Sequence, residues 1–546
     1  MWLIIIAILG ISPAFGQEPA LARAGVRQAQ VRLSLDQTIE IALKKNLEIE
    51  SEKSSAAAAT QALRGARGVY DPRFRWLATL DSQKTPAASV LQSTGGSVGE
   101  HLHSGNFYLG QKLPWGGASV TMGFENSRVS STNPFLSLSP YTSSRLSFTW
   151  TQPLLRGQKI DNERAQIRIR SKQADLSEIQ VELTTIEIVS RVQQAYWDLV
   201  AARQDATVKA DAADWARQQL ERIQHMVAAG SLAAFETSAA EAELERRRDG
   251  WYTSIQAITA AENALKLLLA NSREEALWDE EIIPADEWNV RSPQISDLNS
   301  ALSKALNSRP ELRAIASEQQ ANQIDKQYQG DLVKPRLNLS ATYGLVGIAG
   351  EARTGNDPLT TAVSGVYERI NRLSEQQGLL PLPATSIGNI PAALLGRYHD
   401  ALANVFSAQN QGFRVGLEFE FTARNHEAKA ALAQSEIAER RLELLQAQAE
   451  QAIEADVRNS FQAIQTARQR IAAAEASARA AQEKLESDIR LFEVGESTNF
   501  LVLTRQNEYS DARHRLLVAN LDLNKAVARV EQALGTTLED HKIVLK

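Results

Sequence analysis

The sequence predicts an α+β membrane protein made of internally duplicated strand–long-helix units. Three observations lead there. Several segments alternate strictly between apolar and polar residues, two very long runs contain neither Gly nor Pro, and one order of landmarks occurs twice.

The alternation is clearest at Phe413, Val415, Leu417, Phe419 and Phe421, with Arg414, Gly416, Glu418 and Glu420 between them. Period two puts the two sets on opposite faces of a strand. Phe74, Trp76, Ala78 and Leu80 alternate with Arg73, Arg75, Thr79 and Asp81. The pattern returns in Ala118–Phe124 with Thr121 between, in Leu146–Trp150 with Thr149 between, and in Leu337–Tyr343 with Ser340 between. Phe107 to Leu113 is a weaker sixth case. Apolar-out, polar-in segments of about ten residues are the mark of a transmembrane barrel. Val120 and Phe148 are therefore expected to touch lipid, and Arg75, Thr121, Thr149, Ser340, Glu418 and Glu420 to line a lumen. Pro114-Trp-Gly116 makes a tight turn, whereas Ser82–Gly105, Asn126–Ser143 and Leu345–Gly412 read as long polar loops. A water-soluble β-sandwich also alternates, but six strands in two distant groups could not close one around rods this long.

The runs Gln158–Ala229 and Thr422–Val494 are rich in strong helix formers. Leu176, Ile179, Leu183, Ile186, Val189, Val192, Tyr196 and Leu199 draw the apolar stripe of the first. Leu442, Leu445, Ala449, Ile453, Val457, Phe461, Ile464, Ala467 and Ile471 draw that of the second. At 1.5 Å per residue each helix extends roughly 100 Å. Shorter amphipathic runs return from each, the second from about Asn499 to Leu534.

Leu35–Ile49 recurs as Leu298–Leu312, offset by 263 residues, and Gly230 with Phe235 recurs as Gly495 with Phe500, offset by 265. Two landmarks this far apart at one offset mark a duplicated unit. The resulting division is a signal peptide at 1–16 and a flexible leader at 17–32. A first repeat follows at 33–294, with strands within 70–152 and a helical hairpin at 158–270. The second repeat spans 295–535, with strands at 335–345 and 413–421 and a hairpin at 422–534, before a tail at 536–546. Met1–Gly10 is apolar and Ala14-Phe-Gly16 is small, so the mature chain is expected to begin near Gln17; the alternative is an uncleaved anchor.

The chain has 546 residues, a net charge of −6 and no cysteine. Disulfides, cysteine-based metal sites and a lipid-modified cysteine are excluded, and no basic tract points to nucleic acid. There is no phosphate-binding Gly loop, no His-Glu-x-x-His and no nucleophile elbow, so no enzyme is expected, and no cofactor or metal. His101 and His103 are read as part of a solvated loop, and His225 as a helix-surface residue. Glu439 and Glu443 are read as a solvated helix face.

Taken together, the openings Leu35–Ile49 and Leu298–Leu312, the second with Arg309-Pro-Glu-Leu312, resemble the TolC-like outer-membrane efflux proteins. So do Gln152-Pro-Leu-Leu-Arg-Gly157 and the Gly230 and Phe492-Glu-Val-Gly495 turns. The resemblance covers Leu33 to Gly535. It implies a homotrimer whose chains share one barrel in the outer membrane of a Gram-negative bacterium and one α-helical coiled-coil tunnel through the periplasm. Tips at Gly230, Ser231, Val494 and Gly495 would dock a periplasmic adaptor working with an inner-membrane pump. The function so implied is an export duct for efflux or type I secretion; the alternative is a structural tether without transport. Three departures stand out. The first repeat reads as four strands rather than two, so a trimer would have eighteen. The Leu345–Gly412 link is long, with helical segments at Leu359–Ser374 and Ala392–Ser407 suited to an external cap. Leu501 and Thr504 stand where well-known members carry aspartates at the pore entrance.

Overall fold

The computed structural model describes residues 23, 29–88, 93, 95–286, 297–353, 358–382 and 390–544. The expected signal peptide and its cleavage point lie outside them. In chain order the elements are β1 (Gln30–Leu33), α1 (Leu35–Lys45), α2 (Leu47–Arg67), β2 (Arg73–Pro86), β3 (Ser97–Lys112), β4 (Ser119–Ser131) and β5 (Leu138–Pro153). Then come α3 (Asn162–Ala228), α4 (Phe235–Leu269), β6 (Glu281–Pro284), α5 (Leu298–Ser308), α6 (Pro310–Leu332), β7 (Arg336–Ala352) and α7 (Pro358–Gln376). The chain ends with α8 (Tyr398–Phe406), β8 (Gln411–Glu420), α9 (His426–Glu493), α10 (Asn499–Leu534) and α11 (Thr537–Asp540). The long helices α3 and α9 have 67 and 68 residues. Two compact units result, and each draws on both sequence repeats.

One unit takes 1–58, 174–318 and 442–546. Ser34 opens α1 with a reciprocal capping box, its hydroxyl accepting from the Gln37 N–H while the Gln37 side chain accepts from the Ser34 N–H. β1 and β6 pair in parallel, and Leu33, Ile39, Val192, Leu199, Leu265 and Ile282 close the core beside them. Of the expected stripe on α3, Ile186 through Leu199 are buried, as are Ile453, Val457 and Ile464 on α9. Tyr196 is fully buried and donates to the Leu33 carbonyl at 3.1 Å and Asp286 Oδ2 at 2.7 Å. Burial first, and then that hydrogen bond to Asp286, push its phenol well above the usual range. The leader drawn to Arg32 needs correction. Gln30 to Arg32 belong to a strand because β6 offers an edge to pair with. Arg23 is ion-paired with Glu262, itself buried and held at 2.7 Å by the fully buried Lys266. Opposite charges taken out of water persist only when paired in this way.

The other unit takes 59–173 and 319–441 and holds one antiparallel sheet in the order β2-β3-β4-β5-β7-β8. The strands are longer than the sequence suggests. The Ser82–Gly105, Asn126–Ser143 and Leu345–Gly412 loops shrink accordingly, and His101 and His103 sit on β3 rather than in a loop. Alternation disappears in the distal halves of β2, β4 and β5 because both faces become mainly polar there, and in that of β7 because Val346, Ile348 and Ala349 put apolar residues on both faces. At the proximal end Leu113 closes a turn onto the Ala118 carbonyl at 2.8 Å. Gly116 and Gly117 take φ of +63° and +68°, and a Cβ on Gly117 would stand 2.4 Å from the Gly157 carbonyl. The long link carries α7, which covers the expected Leu359–Ser374 helix, and α8, which covers only the later part of the expected Ala392–Ser407 helix; Ala392–Leu394 forms a separate turn before it. α8 lies on β7: a Cβ at Gly347 would come within 2.2 Å of the Ala401 carbonyl, and Asn404 Nδ2 donates to the Ile348 carbonyl at 3.0 Å.

The carboxyl-terminal segment supplies a pH test. His541 faces Glu531 and Asp36, each at 3.5 Å, and Gln193 at 2.7 Å. The hydrogen bond to Glu531, more than the opposing burial, raises its imidazole above the ordinary value. A raised folded value means that its stabilisation is complete below the unfolded value of about 6.5 and is lost as pH rises through the folded one. Hydrogen exchange at Ile543 and its neighbours should therefore quicken as pH rises above about 6.5, beyond the intrinsic rise. The same profile in His541→Gln would show that the imidazole is not the cause.

Candidate functional site

Two groups of side chains invite a functional reading, one in each unit. The first is a face of the sheet. Cross-strand partners point to the same side, so the register can be followed from edge to edge. Trp76 pairs with Phe107, Phe107 with Phe124, Phe124 with Leu146, and Leu146 with Leu345. One row over, Leu109, Met122, Phe148, Tyr343 and Phe413 pair in turn, and further on Leu339 pairs with Leu417 and Leu337 with Phe419. A single apolar face results. It is most exposed on the edge strands, with Phe74 at 82%, Trp76 at 65% and Phe413 at 74% of their free surface, and half-buried at Phe124, Leu146 and Leu345 between them. An apolar patch this extensive marks a surface that another protein or a membrane covers.

The opposite face is polar and cross-linked. The Arg75 guanidinium lies 4.8 Å from the Tyr108 ring centre, and Tyr108 donates to Glu125 at 3.1 Å. Thr121 pairs with Thr149 across β4 and β5, and the Thr149 and Thr342 hydroxyls lie 3.1 Å apart. Ser340 donates to the Gly416 carbonyl at 3.3 Å, and Arg336 bridges Glu418 at 3.2 Å and Glu420 at 2.6 Å. The sheet thus brings Arg75, Thr121, Thr149, Ser340, Glu418 and Glu420 onto one side. Tyr108 escaped the sequence reading because β3 carries only Phe107 and Leu109 as an apolar signal.

The second group is the pair of helix reversals. Gly230 donates to the Val227 carbonyl at 3.0 Å and Ser231 to Met226 at 2.9 Å; Gly495 donates to Phe492 at 3.1 Å and Glu496 to Leu491 at 2.9 Å. Both are Schellman closures, and both glycines take positive φ, +73° and +82°. The two reversals meet. Gln219 on α3 donates to Asn499 Oδ1 at 3.0 Å, and Asn499 donates to Glu236 on α4 at 3.2 Å. Arg505 joins Asp488 and Glu508, each at 2.8 Å. Around these polar links Phe235, Val494 and Phe500 remain 69–76% exposed. Asn499 could not be singled out beforehand, since its partners lie far away in the chain. Leu501 is half-buried, and Thr504 donates to its own helix at the Phe500 carbonyl at 2.7 Å. The described residues hold no cluster of groups suited to a metal ion, and no helix among them is long and apolar enough to cross a membrane.

No family model matches the sequence, and no curated protein does. Solved structures do. The CmeC outer-membrane channel of Campylobacter jejuni aligns with a TM-score of 0.62 at 14% identity, over 98% of this chain and 97% of that one. CusC, described by its transmembrane channel formation, gives 0.62 at 14% over 94% and 95%. The open state of the Neisseria gonorrhoeae MtrE outer-membrane channel gives 0.57 at 14% over 92% and 89%. The fold is that of the TolC-like outer-membrane channels. Its six-stranded sheet and duplicated long helices are therefore those of a fold seen in trimeric barrel-and-tunnel proteins.

The two faces can be told apart by substitution. Arg at Val120, on the apolar face, should cost about 2–4 kcal/mol at a membrane midplane, whereas Arg at Thr121 should be tolerated. Equal yields of assembled protein on native gels from Val120→Arg and Thr121→Arg would exclude a membrane around the apolar face.

Proposed function

We propose that the protein is the outer-membrane duct of a tripartite efflux or type I secretion system. In this reading it carries substrates passively from a periplasmic adaptor and inner-membrane pump across the outer membrane of a Gram-negative bacterium. The observation that carries the reading is the sheet with one continuous apolar face, one polar face and two unpaired edges. In hydrocarbon every backbone N–H and C=O must be satisfied, so strands β2 and β8 need partners from other copies. β2 and β8 run in opposite directions, which suits an antiparallel seam between copies. A homotrimer closes eighteen strands, a size at which barrels leave an aqueous channel. Arg75, Thr121, Thr149, Ser340, Glu418 and Glu420 then line the lumen. The polar face favours a duct over a tether, which needs no lumen. Nothing in the proposed role calls for catalysis or a cofactor.

Adaptor docking is assigned to Gly230, Ser231, Val494 and Gly495, on the strength of the exposed Phe235, Val494 and Phe500 around them. Purified trimers in a planar bilayer should give stepwise ion conductance. Correctly inserted trimers that never conduct would favour the tether. The second test concerns the reversals. Nothing lies within 4 Å of a Cβ at either glycine, so strain at positive φ is the whole effect of a substitution. Gly230→Val and Gly495→Val should each cost about 1–3 kcal/mol locally, leave trimers intact and abolish cross-linking to the adaptor and export. Normal cross-linking and export would take the tips out of the docking site.

A further inference from the structure

The apolar face of the sheet ends abruptly. Above the row Trp76, Phe107, Phe124, Leu146 and Leu345, the same face continues as Ala78, Gly105, Asn126, Ser144 and Gly347, and then as Leu80, His103, Arg128, Thr142 and Ala349. On β3 and β4 aromatic side chains give way to Gly105 and Asn126, and these to imidazole and guanidinium, within about four residues, or roughly 13 Å of strand, while β2 stays apolar as far as Leu80. The strands do not end there. They run on to Pro86, Ser131 and Ala352. Over the polar part lies the segment leading into α8. Leu395 bridges to Gly350, and Ala401 and Val405 are fully buried against the sheet. Tyr398 and Phe406, at the two ends of α8, are 47% and 66% exposed. Aromatic side chains at this level are what an interface between hydrocarbon and water selects.

Between sheet and cap is a cavity of about 600 Å³ whose wall includes His103, Asn126, Arg128, Glu351, Arg397 and Tyr398. Neither Arg128 nor Arg397 forms an ion pair with a carboxylate among the described residues. Asp400 is engaged elsewhere, accepting from the Arg397 N–H at 2.7 Å and lying 3.1 Å from His399. Glu351 is the one carboxylate on the wall, so the two guanidinium groups leave a positive excess. Two forked donors with amide and phenol groups beside them match a phosphate ester, which guanidinium binds through paired hydrogen bonds. The neighbouring row of the same face is apolar, which suits acyl chains attached to that phosphate.

On the membrane reading above, we propose that this cavity binds the phosphate-bearing headgroup of an outer-leaflet lipid. Its acyl chains lie along Phe107, Phe124 and Leu146, and α8 rests on the headgroup layer as an interfacial cap. The site is on the outside of the barrel and does not involve the transport path.

The test uses the full chain extracted in mild detergent, with native mass spectrometry reading retained lipid. The Arg128→Ala/Arg397→Ala variant should retain at least tenfold less phosphate-bearing lipid than the unsubstituted protein. Arg145→Ala, on the opposite face of β5, should retain as much. Phosphatidylglycerol nanodiscs should restore the bound lipid to the unsubstituted chain, and nanodiscs of a phosphate-free galactolipid should not. If the double variant fails to assemble, Arg397→Ala alone, in the cap, carries the same readout. Equal retention by the variants overturns the site. Binding of inorganic phosphate as tight as that of the lipid makes it a free-anion site and overturns the lipid assignment. Failure of the unsubstituted chain to enter the outer-membrane fraction overturns instead the membrane reading on which the proposal rests.

Discussion

Strand register is the constraint on which this molecule depends. A slip of one residue at any of the five strand pairings would carry a whole strand's aromatic side chains to the polar face. The ladders run without interruption through the apolar band, from Phe74↔Leu109 to Leu337↔Phe419. The register shift between Leu138 and Tyr141 falls in the polar distal part of β5, where a displaced side chain changes little. Cross-strand contacts on the polar side reinforce the same alignment. Arg75 over Tyr108, Tyr108 to Glu125, Thr149 beside Thr342 and Arg336 between two glutamates each require the observed pairing. The polar face is thus chemically distinct and also helps to define the apolar one.

The sequence is most legible where one physical pressure acts along a whole element. The long helices, their reversals at Gly230 and Gly495, and the apolar halves of β2, β4, β5, β7 and β8 are of this kind. Each answers to a periodic burial or a single torsional requirement. Legibility fails where an element is held by remote partners. β1 and β6 are four residues each and too short to show a period; they exist because each completes the other. Arg23 lies in what reads as an unstructured leader, and only the fold brings it to Glu262. The distal strand halves are hidden because they do not alternate: β2, β4 and β5 are mainly polar there, and β7 is apolar on both faces, so His103 reads as a loop residue. On the polar face, Arg75, Thr121 and Glu418 were legible from parity, whereas the partnership of Tyr108 with Glu125 was not. At the reversals the glycines were legible and Asn499, which links the two, was not.

Duplication explains what the two repeats share and also where they differ. Equivalent helices open at Leu35 and Leu298, and α3 and α9 end in the same pair of backbone hydrogen bonds. Their strand content differs: four strands lie between α2 and α3, two between α6 and α9. β3 and β4 lie between β2 and β5 in the sheet and extend both of its faces. The long link of the second repeat is likewise an addition at a strand end. It is accommodated by Gly347, where even a methyl group would meet the α8 backbone.

The order of strands in the sheet carries a kinetic consequence. β2 to β5 follow one another as a meander and can pair as soon as they emerge. β7 must then find β5, and Leu146 meets Leu345 about 200 residues later in the chain. Pairing at such separation bears a large loop-closure entropy and is slow compared with hairpin formation. Until α3 through α6 have been made and folded back, a four-stranded fragment presents an unpaired β5 edge beside exposed Phe148 and Trp150. That interval is the most aggregation-prone in the life of the chain. A holding chaperone that recognises a freshly exposed apolar strand would find its substrate there.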